Sequence, residues 1–299
     1  MRKSAQRFTQ QIAQMKEKPP PKTRSYGVDS RHLFPMLRDL VELATIRLAN
    51  KKTRPQVVQL GRNIRQQAFD ARDKLPVIDH PALAAFLGCG EPREIILPPI
   101  DTISLSGLGF VIPYTLLATI VSALRPKKIF ETGTFRGVGT LTMALNAPDA
   151  DIYTLDLPEQ YTETEVETLS HGDKEWVRLS RTSTGFAFLG HPAAERIHQL
   201  RGSSLTFTPP GFLSDTDLCF IDGGHSYECI KADTETALKI LSPNGVIVWD
   251  DYAWFVDGVS DYLTELRNSL ALHRIAGSQL VICRIQDQDA AGTDKLTSH

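Results

Sequence analysis

Long apolar runs are missing from this chain. Nowhere do 18 apolar residues follow one another, so no spanning helix is expected. Cysteine is sparse and scattered. Cys89, Cys219, Cys229 and Cys283 form no CxxC pair, which argues against a disulfide framework and for free thiols in a reducing compartment. An excess of charge of one sign is also lacking. The formal net charge is -2, which excludes a strongly basic nucleic-acid-binding protein. The basic N-terminus has no apolar core of the kind a secretory signal needs, and a cytoplasmic location is expected. No GxSxG elbow occurs, which disfavours a Ser-His-Asp hydrolase. No complete GxGxxG occurs either, so the ligand need not carry a pyrophosphate.

What remains is a chain of 299 residues, 41% hydrophobic and 23% charged, enough for a substantial core and a wetted surface. Charge is unevenly spread. Residues 1–80 hold 17 Lys/Arg against 7 Asp/Glu. Residues 1–28, broken by Pro19, Pro20 and Pro21, read as a basic flexible tail. Residues 29–100 read as an N-terminal helical region and linker. Apolar residues recur at helical spacing over 31–50 and again over 54–73. Each such helix has one apolar stripe to bury, against the main domain or against a second subunit, so a homo-oligomer is one expectation. Pro76 to Pro99 reads mostly as linker. Residues 101–286 form the main domain, and 287–299 are a polar tail.

Within the main domain, helical and strand patterns alternate. Helices are predicted at 113–124, 138–146, 227–241 and 256–270. Strands are predicted at 127–130, 151–155, 196–200, 217–221 and 244–249. The segment 157–195 is polar and ambiguous. A hairpin across Ala276–Ser278 closes the domain. This alternation predicts an α/β fold with a mostly parallel sheet, covered on both faces and ending in an antiparallel hairpin, plus the N-terminal helices. Ligands of such sheets bind beyond the carboxyl ends of the strands.

Three stretches lie there. In IFETGTFRGVGT, Gly133 allows a tight turn after the strand, Gly137 and Gly139 let a helix begin close to a ligand, and Glu131 adds a carboxylate. A bare strand-to-helix turn is the alternative. Asp156 ends the next strand, where an acid can accept both hydroxyls of a ribose or simply cap the chain. In DLCFIDGGHSYECIKAD, Asp222 ends a strand and His225 follows three residues later, while Ser226 can cap the next helix and Tyr227 can wall a cavity or aid proton transfer. In VIVWDDY, Asp250 and Asp251 add two carboxylates. With Asp222 they make an oxygen-rich set suited to a hard divalent ion such as Mg²⁺, or they are solvated and capping acids. Zinc is disfavoured because no second His or Cys lies at ligand spacing. His225 has the ordinary pKa of a general base, or it is a hydrogen-bonded loop residue.

With these motifs in hand, residues from about 125 to 285 resemble a class I S-adenosylmethionine-dependent methyltransferase. The closer resemblance is to the small-molecule O-methyltransferase branch with a DGxHxY loop, which includes enzymes that methylate sugar hydroxyls of macrolides. The resemblance implies a Rossmann-like sheet and S-adenosyl-L-methionine as cofactor, with Mg²⁺ in the metal-dependent members. It implies that Glu131, Gly133 and Gly137 cradle the methionine part of the cofactor, that Asp156 holds its ribose, and that Gly202 and Ser203 contact its adenine. It assigns Asp222, Asp250 and Asp251 to metal-site positions, and His225, with Asp222, to the catalytic set. The implied partner is a hydroxylated small molecule, with no specific nucleic acid and no membrane span. Residues 31–75 and 157–195, with Trp176, Phe186, Phe188 and Trp254, are candidates for shaping the acceptor pocket. Two rival readings are a different chemistry on the same scaffold, hydroxylase-like or amine-modifying, and a non-catalytic cofactor-binding or interaction protein.

Overall fold

The central strands are buried on both faces, as strands between two layers of helices must be. In KIFET (β2, Lys128–Thr132) every residue after the first is buried, and the last five residues of β6 (Leu241–Trp249), GVIVW, are buried throughout. The computed structural model describes residues 75–88, 94–103, 111–161, 169, 171–180, 182–253 and 257–285. Contacts divide the chain into Met1–Asp73 and Lys74–His299, and all described residues belong to the second unit. The helices expected over 31–50 and 54–73, and both tails, lie outside the described residues.

The remaining strands are β1 (Val77–Ile78), β3 (Asp151–Asp156), β4 (Ile197–Arg201), β5 (Thr216–Ile221), β7 (His273–Ile275) and β8 (Val281–Arg284). They form one eight-stranded sheet in the order β1-β7-β8-β6-β5-β2-β3-β4. Pairing is parallel except where β8 runs antiparallel to β6 and β7. The mostly parallel sheet and its closing hairpin are therefore as the sequence predicts. The described α-helices are α1 (His80–Leu87), α2 (Ile100–Ile103), α3 (Val111–Leu124), α4 (Val138–Asn146), α5 (His171–Ser180), α6 (Tyr227–Ile240) and α7 (Asp257–Leu266). Phe130, Ile129, Leu117, Ile120, Met143 and Leu218 are among the largest fully buried side chains of the core.

The segment from Pro76 to Pro99 is more structured than a linker. Val77 and Ile78 pair in parallel with Arg274 and Ile275 at the edge of the sheet. Helix α1 follows at once, with the Asp79 side chain accepting the Ala82 N–H at 2.8 Å and Gly88 closing it at φ 72°. The described residues of 157–195 include α5 and two 3-10 turns, Phe186–Phe188 and Pro192–Arg196.

Strand order reverses beside β2. The chain runs outward through β3 and β4, then returns to place β5 on the other side of β2. A crevice at the carboxyl ends of β2 and β5 is where such a sheet binds ligands. The ladder also continues one residue past each strand. Gly133 N–H donates to Leu155 O at 2.9 Å, Asp222 N–H to Thr132 O at 2.9 Å and Asp250 N–H to Ile221 O at 3.0 Å. Three residues singled out in the sequence are thereby fixed by the sheet itself.

Candidate active site

The β2 side of the crevice is built from backbone. Gly133 has φ 92°, and a Cβ there would stand 1.9 Å from the Asp222 carbonyl oxygen, so only glycine fits. At Gly137, which opens α4 with φ 81°, a Cβ would meet the Phe188 ring at 2.6 Å. Both glycines are thus required by chain packing against chain. Phe135, between them, adopts φ 46°, uncommon for a bulky residue. Its N–H donates to Asp156 Oδ2 at 2.7 Å, and the Leu157 N–H donates to Oδ1 at 2.7 Å. Burial raises the Asp156 pKa above the usual carboxylate range, while these two N–H groups and Arg201 pull it back. Glu131 is almost fully buried and accepts from the Thr140 hydroxyl. Burial lifts its pKa to about 8, so it is mainly a neutral acid near pH 7.

Asp156 lines an open recess together with Leu157, Pro158, Glu159, Tyr161, Val177 and Thr184. The Asp156 carboxylate at the strand end is the part of this lining that suits the hydroxyls of a ribose. Gly202 is tied to the same place through its N–H to Asp156 O at 3.0 Å, and Ser203 is buried, but neither lines the recess.

The β5 and β6 side is built from side chains. Asp222, His225 and Asp251 each present one ligand atom, and the three atoms lie within 4.8 Å of one another. Asp250 is outside this trio. It is nearly fully buried, and its Oδ1 accepts the Asp251 N–H at 2.7 Å. Asp251 takes φ 60°, a left-handed conformation that costs a non-glycine residue about 1–2 kcal/mol, less for Asp than for most. Such strain concentrates at functional sites. The carboxylates are short of positive charge. Burial, then repulsion from Asp250 and Asp251, pushes the Asp222 pKa well above its usual range, and burial with Asp251 lifts Asp250 to about 7. Two facing carboxylates with an imidazole, held in a negative field, fit a divalent cation.

His225 lies between two acids. Nε2 is 2.6 Å from Asp251 Oδ2, and Nδ1 pairs with Asp173 Oδ1. Burial alone would lower its pKa, but these two hydrogen bonds outweigh it and hold the ring well above 6.5. In this arrangement the ring keeps its proton near neutral pH. Asp173 is the residue that sequence reading missed. It lies in an unremarkable polar helix, 52 residues before its partner, and only the fold brings the two together.

Other expected residues separate here. The Tyr227 hydroxyl donates to Glu265 at 2.8 Å rather than serving the His225 ring. Phe188 is core, buried against Gly137. Trp176 and Phe186 are exposed, the former edge-on to Phe135. Trp254 lies outside the described residues. Cys219, Cys229 and Cys283 are buried free thiols, as expected, while Cys89 is not described. No helix among the described residues is long and apolar enough to cross a membrane.

Residues 130–252 match the family model described as a methyltransferase domain, Methyltransf_24. The O-methyltransferase hkm8 of Aspergillus hancockii is 30% identical over 165 residues, covering 53% of this chain and 57% of that protein. The chain thus spans little more than half the length of that curated relative. Among solved structures, the chain is similar to the O-methyltransferase TomG of Streptomyces achromogenes in complex with SAM, at 16% identity over 68% of this chain and 95% of that one, with a TM-score of 0.45. It is also similar to the SAH-bound Podospora anserina methyltransferase PaMTH1, at 17% identity over 72% of this chain and 99% of that one, with a TM-score of 0.42.

Proposed function

We propose that the protein transfers a methyl group from S-adenosylmethionine to a hydroxyl oxygen of a small molecule, a sugar or natural-product glycoside among the candidates, a reading supported by the match of residues 130–252 to a methyltransferase-domain model. One observation carries the reading. The trio of Asp222, His225 and Asp251 stands at the strand ends beside the glycine turn, and the two halves touch where Gly133 meets Asp222. Asp156 and the walls of its recess would hold the adenosyl part of the cofactor, with Gly202 and Ser203 nearby. Glu131, Gly133 and Gly137 would shape the methionine end.

The bound cofactor supplies an activated sulfonium methyl. The protein must then orient an acceptor oxygen and take its proton. Asp222 and Asp251, backed by the buried charge of Asp250, would hold Mg²⁺, which supplies a Lewis acid for acceptor oxygens. His225 receives the hydroxyl proton at Nε2 after Asp251 leaves that nitrogen and the proton already held there passes to solvent. The dense negative field around the ring favours the imidazolium that results.

The test is incubation with methyl-labelled S-adenosylmethionine, Mg²⁺ and three probe acceptors, catechol, phenol and a methyl hexoside, alongside amine counterparts. Label on oxygen, lost on chelation and restored by Mg²⁺, supports the reading. Label confined to nitrogen overturns it, and full transfer after verified metal removal overturns the magnesium part.

A further inference from the structure

Among the buried acids that the catalytic scheme does not use, one lies against His225. Asp173 occupies the first turn of α5 and is 5% exposed. Both its oxygens reach one residue. Oδ2 accepts the His225 backbone N–H at 3.0 Å, and Oδ1 meets the ring at Nδ1. An acid in a first helical turn is usually explained by the helix dipole, which an exposed side chain serves equally well. Asp173 instead points into a neighbouring loop. That loop is closed in from a second side. At Gly258, near the start of α7, a Cβ would stand 2.3 Å from the His225 carbonyl oxygen.

We propose that Asp173 is a positioning residue for methyl transfer, anchoring the His225 loop through the backbone and the ring through Nδ1, so that Nε2 is the nitrogen presented to the acceptor hydroxyl. The proposal rests on the role given to His225 above. An ionised carboxylate only accepts hydrogen bonds, so the Nδ1 contact places a proton on that nitrogen. The other nitrogen is 2.6 Å from Asp251, whose carboxylate likewise holds a proton there, so Nε2 turns toward the candidate metal ligands and becomes an acceptor only when Asp251 and that proton have left. The backbone contact does not depend on how the ring is flipped, so the anchor stands on two separate bonds.

Asp173→Asn separates positioning from mere support. An asparagine oxygen still accepts the backbone N–H of residue 225, but its NH₂ faces the ring as a donor and disfavours a proton on Nδ1. The probe is the ring itself, read by nitrogen-15 NMR of the full chain labelled at histidine, with S-adenosylhomocysteine and Mg²⁺ present, so no acceptor is needed. The wild type is expected to show a slowly exchanging proton on Nδ1 of His225. In Asp173→Asn that proton is lost or exchanges about tenfold faster or more, with the melting temperature kept, and Asp173→Glu restores it. An Nδ1 proton unchanged in Asp173→Asn overturns the proposal. So does a wild-type ring with no proton on Nδ1. Failure of the His225 role is read separately, as labelled methyl transfer that survives His225→Gln.

Discussion

The two halves of the crevice are held by different means. Around β2 and β3, charge is met by backbone. Asp156 receives the N–H groups of Phe135 and Leu157, Gly133 lets main chain pack on main chain, and Gly137 makes room for the Phe188 ring. Around β5 and β6, charge is met by charge. Asp173, Asp222, Asp250 and Asp251 crowd one imidazole, and burial followed by mutual repulsion raises the pKa values of Asp222 and Asp250. The first half is preorganised without help, as suits a cofactor site. The second stores electrostatic repulsion that a cation or a proton relieves, as suits a site where charge moves.

Gly133→Ala should break both halves together, because its Cβ would collide with the Asp222 carbonyl at a φ of 92°. A loss of about 3 kcal/mol or more is expected, read as a lower melting temperature and lost S-adenosylhomocysteine binding. A variant that melts and binds like the wild type would show the halves to be independent. His225→Ala should strike the second half alone. Turnover should fall about 10²–10⁴-fold, while calorimetry shows S-adenosylhomocysteine affinity within about threefold of the wild type. Asp156→Ala should do the reverse. Cofactor affinity is expected to fall about 10–100-fold, with most turnover recovered at saturating cofactor. A turnover defect that saturation leaves in place would blur the division.

The smallest effect concerns Asp233, which is buried beneath the crevice and bonded to Thr132 at 3.0 Å. Its Oδ1 has no partner among the described residues. Burial raises its pKa from 3.8 to about 6. A folded pKa above the unfolded one gives stability that is complete below about pH 4 and lost as pH climbs through about 6. Asp233→Asn removes the cost of the ionised form. Its stability relative to the wild type should therefore rise by about 1–3 kcal/mol between pH 4 and pH 8, followed by denaturation at each pH. A difference independent of pH would contradict this.

Much of the molecule is legible in the sequence where chemistry and strand ends coincide. The runs FIDGGHSY and VIVWDDY each join a buried strand to acids, and β5 and β6 place Asp222, His225 and Asp251 together. Asp250 looks equivalent to Asp251 in sequence. The left-handed turn at Asp251 separates their roles, and backbone angles of that kind are not written in a pair of aspartates. Asp173 is illegible for another reason. Its partner is remote in sequence, and α5 has no motif around it. The strand Val77–Ile78 is two residues long, too short to display alternation, and so reads as linker. The helix after it did carry signals, in Asp79, Pro81 and Gly88.

The most direct test is a crystal structure grown with S-adenosylhomocysteine and Mn²⁺, using anomalous scattering to locate the ion. The account predicts the ribose at Asp156, the ion between Asp222 and Asp251, and the His225 ring facing the cofactor sulfur with Asp173 on its far nitrogen. An adenosyl group bound away from Asp156, or an ion bound elsewhere with Asp251 still paired to His225, would contradict it.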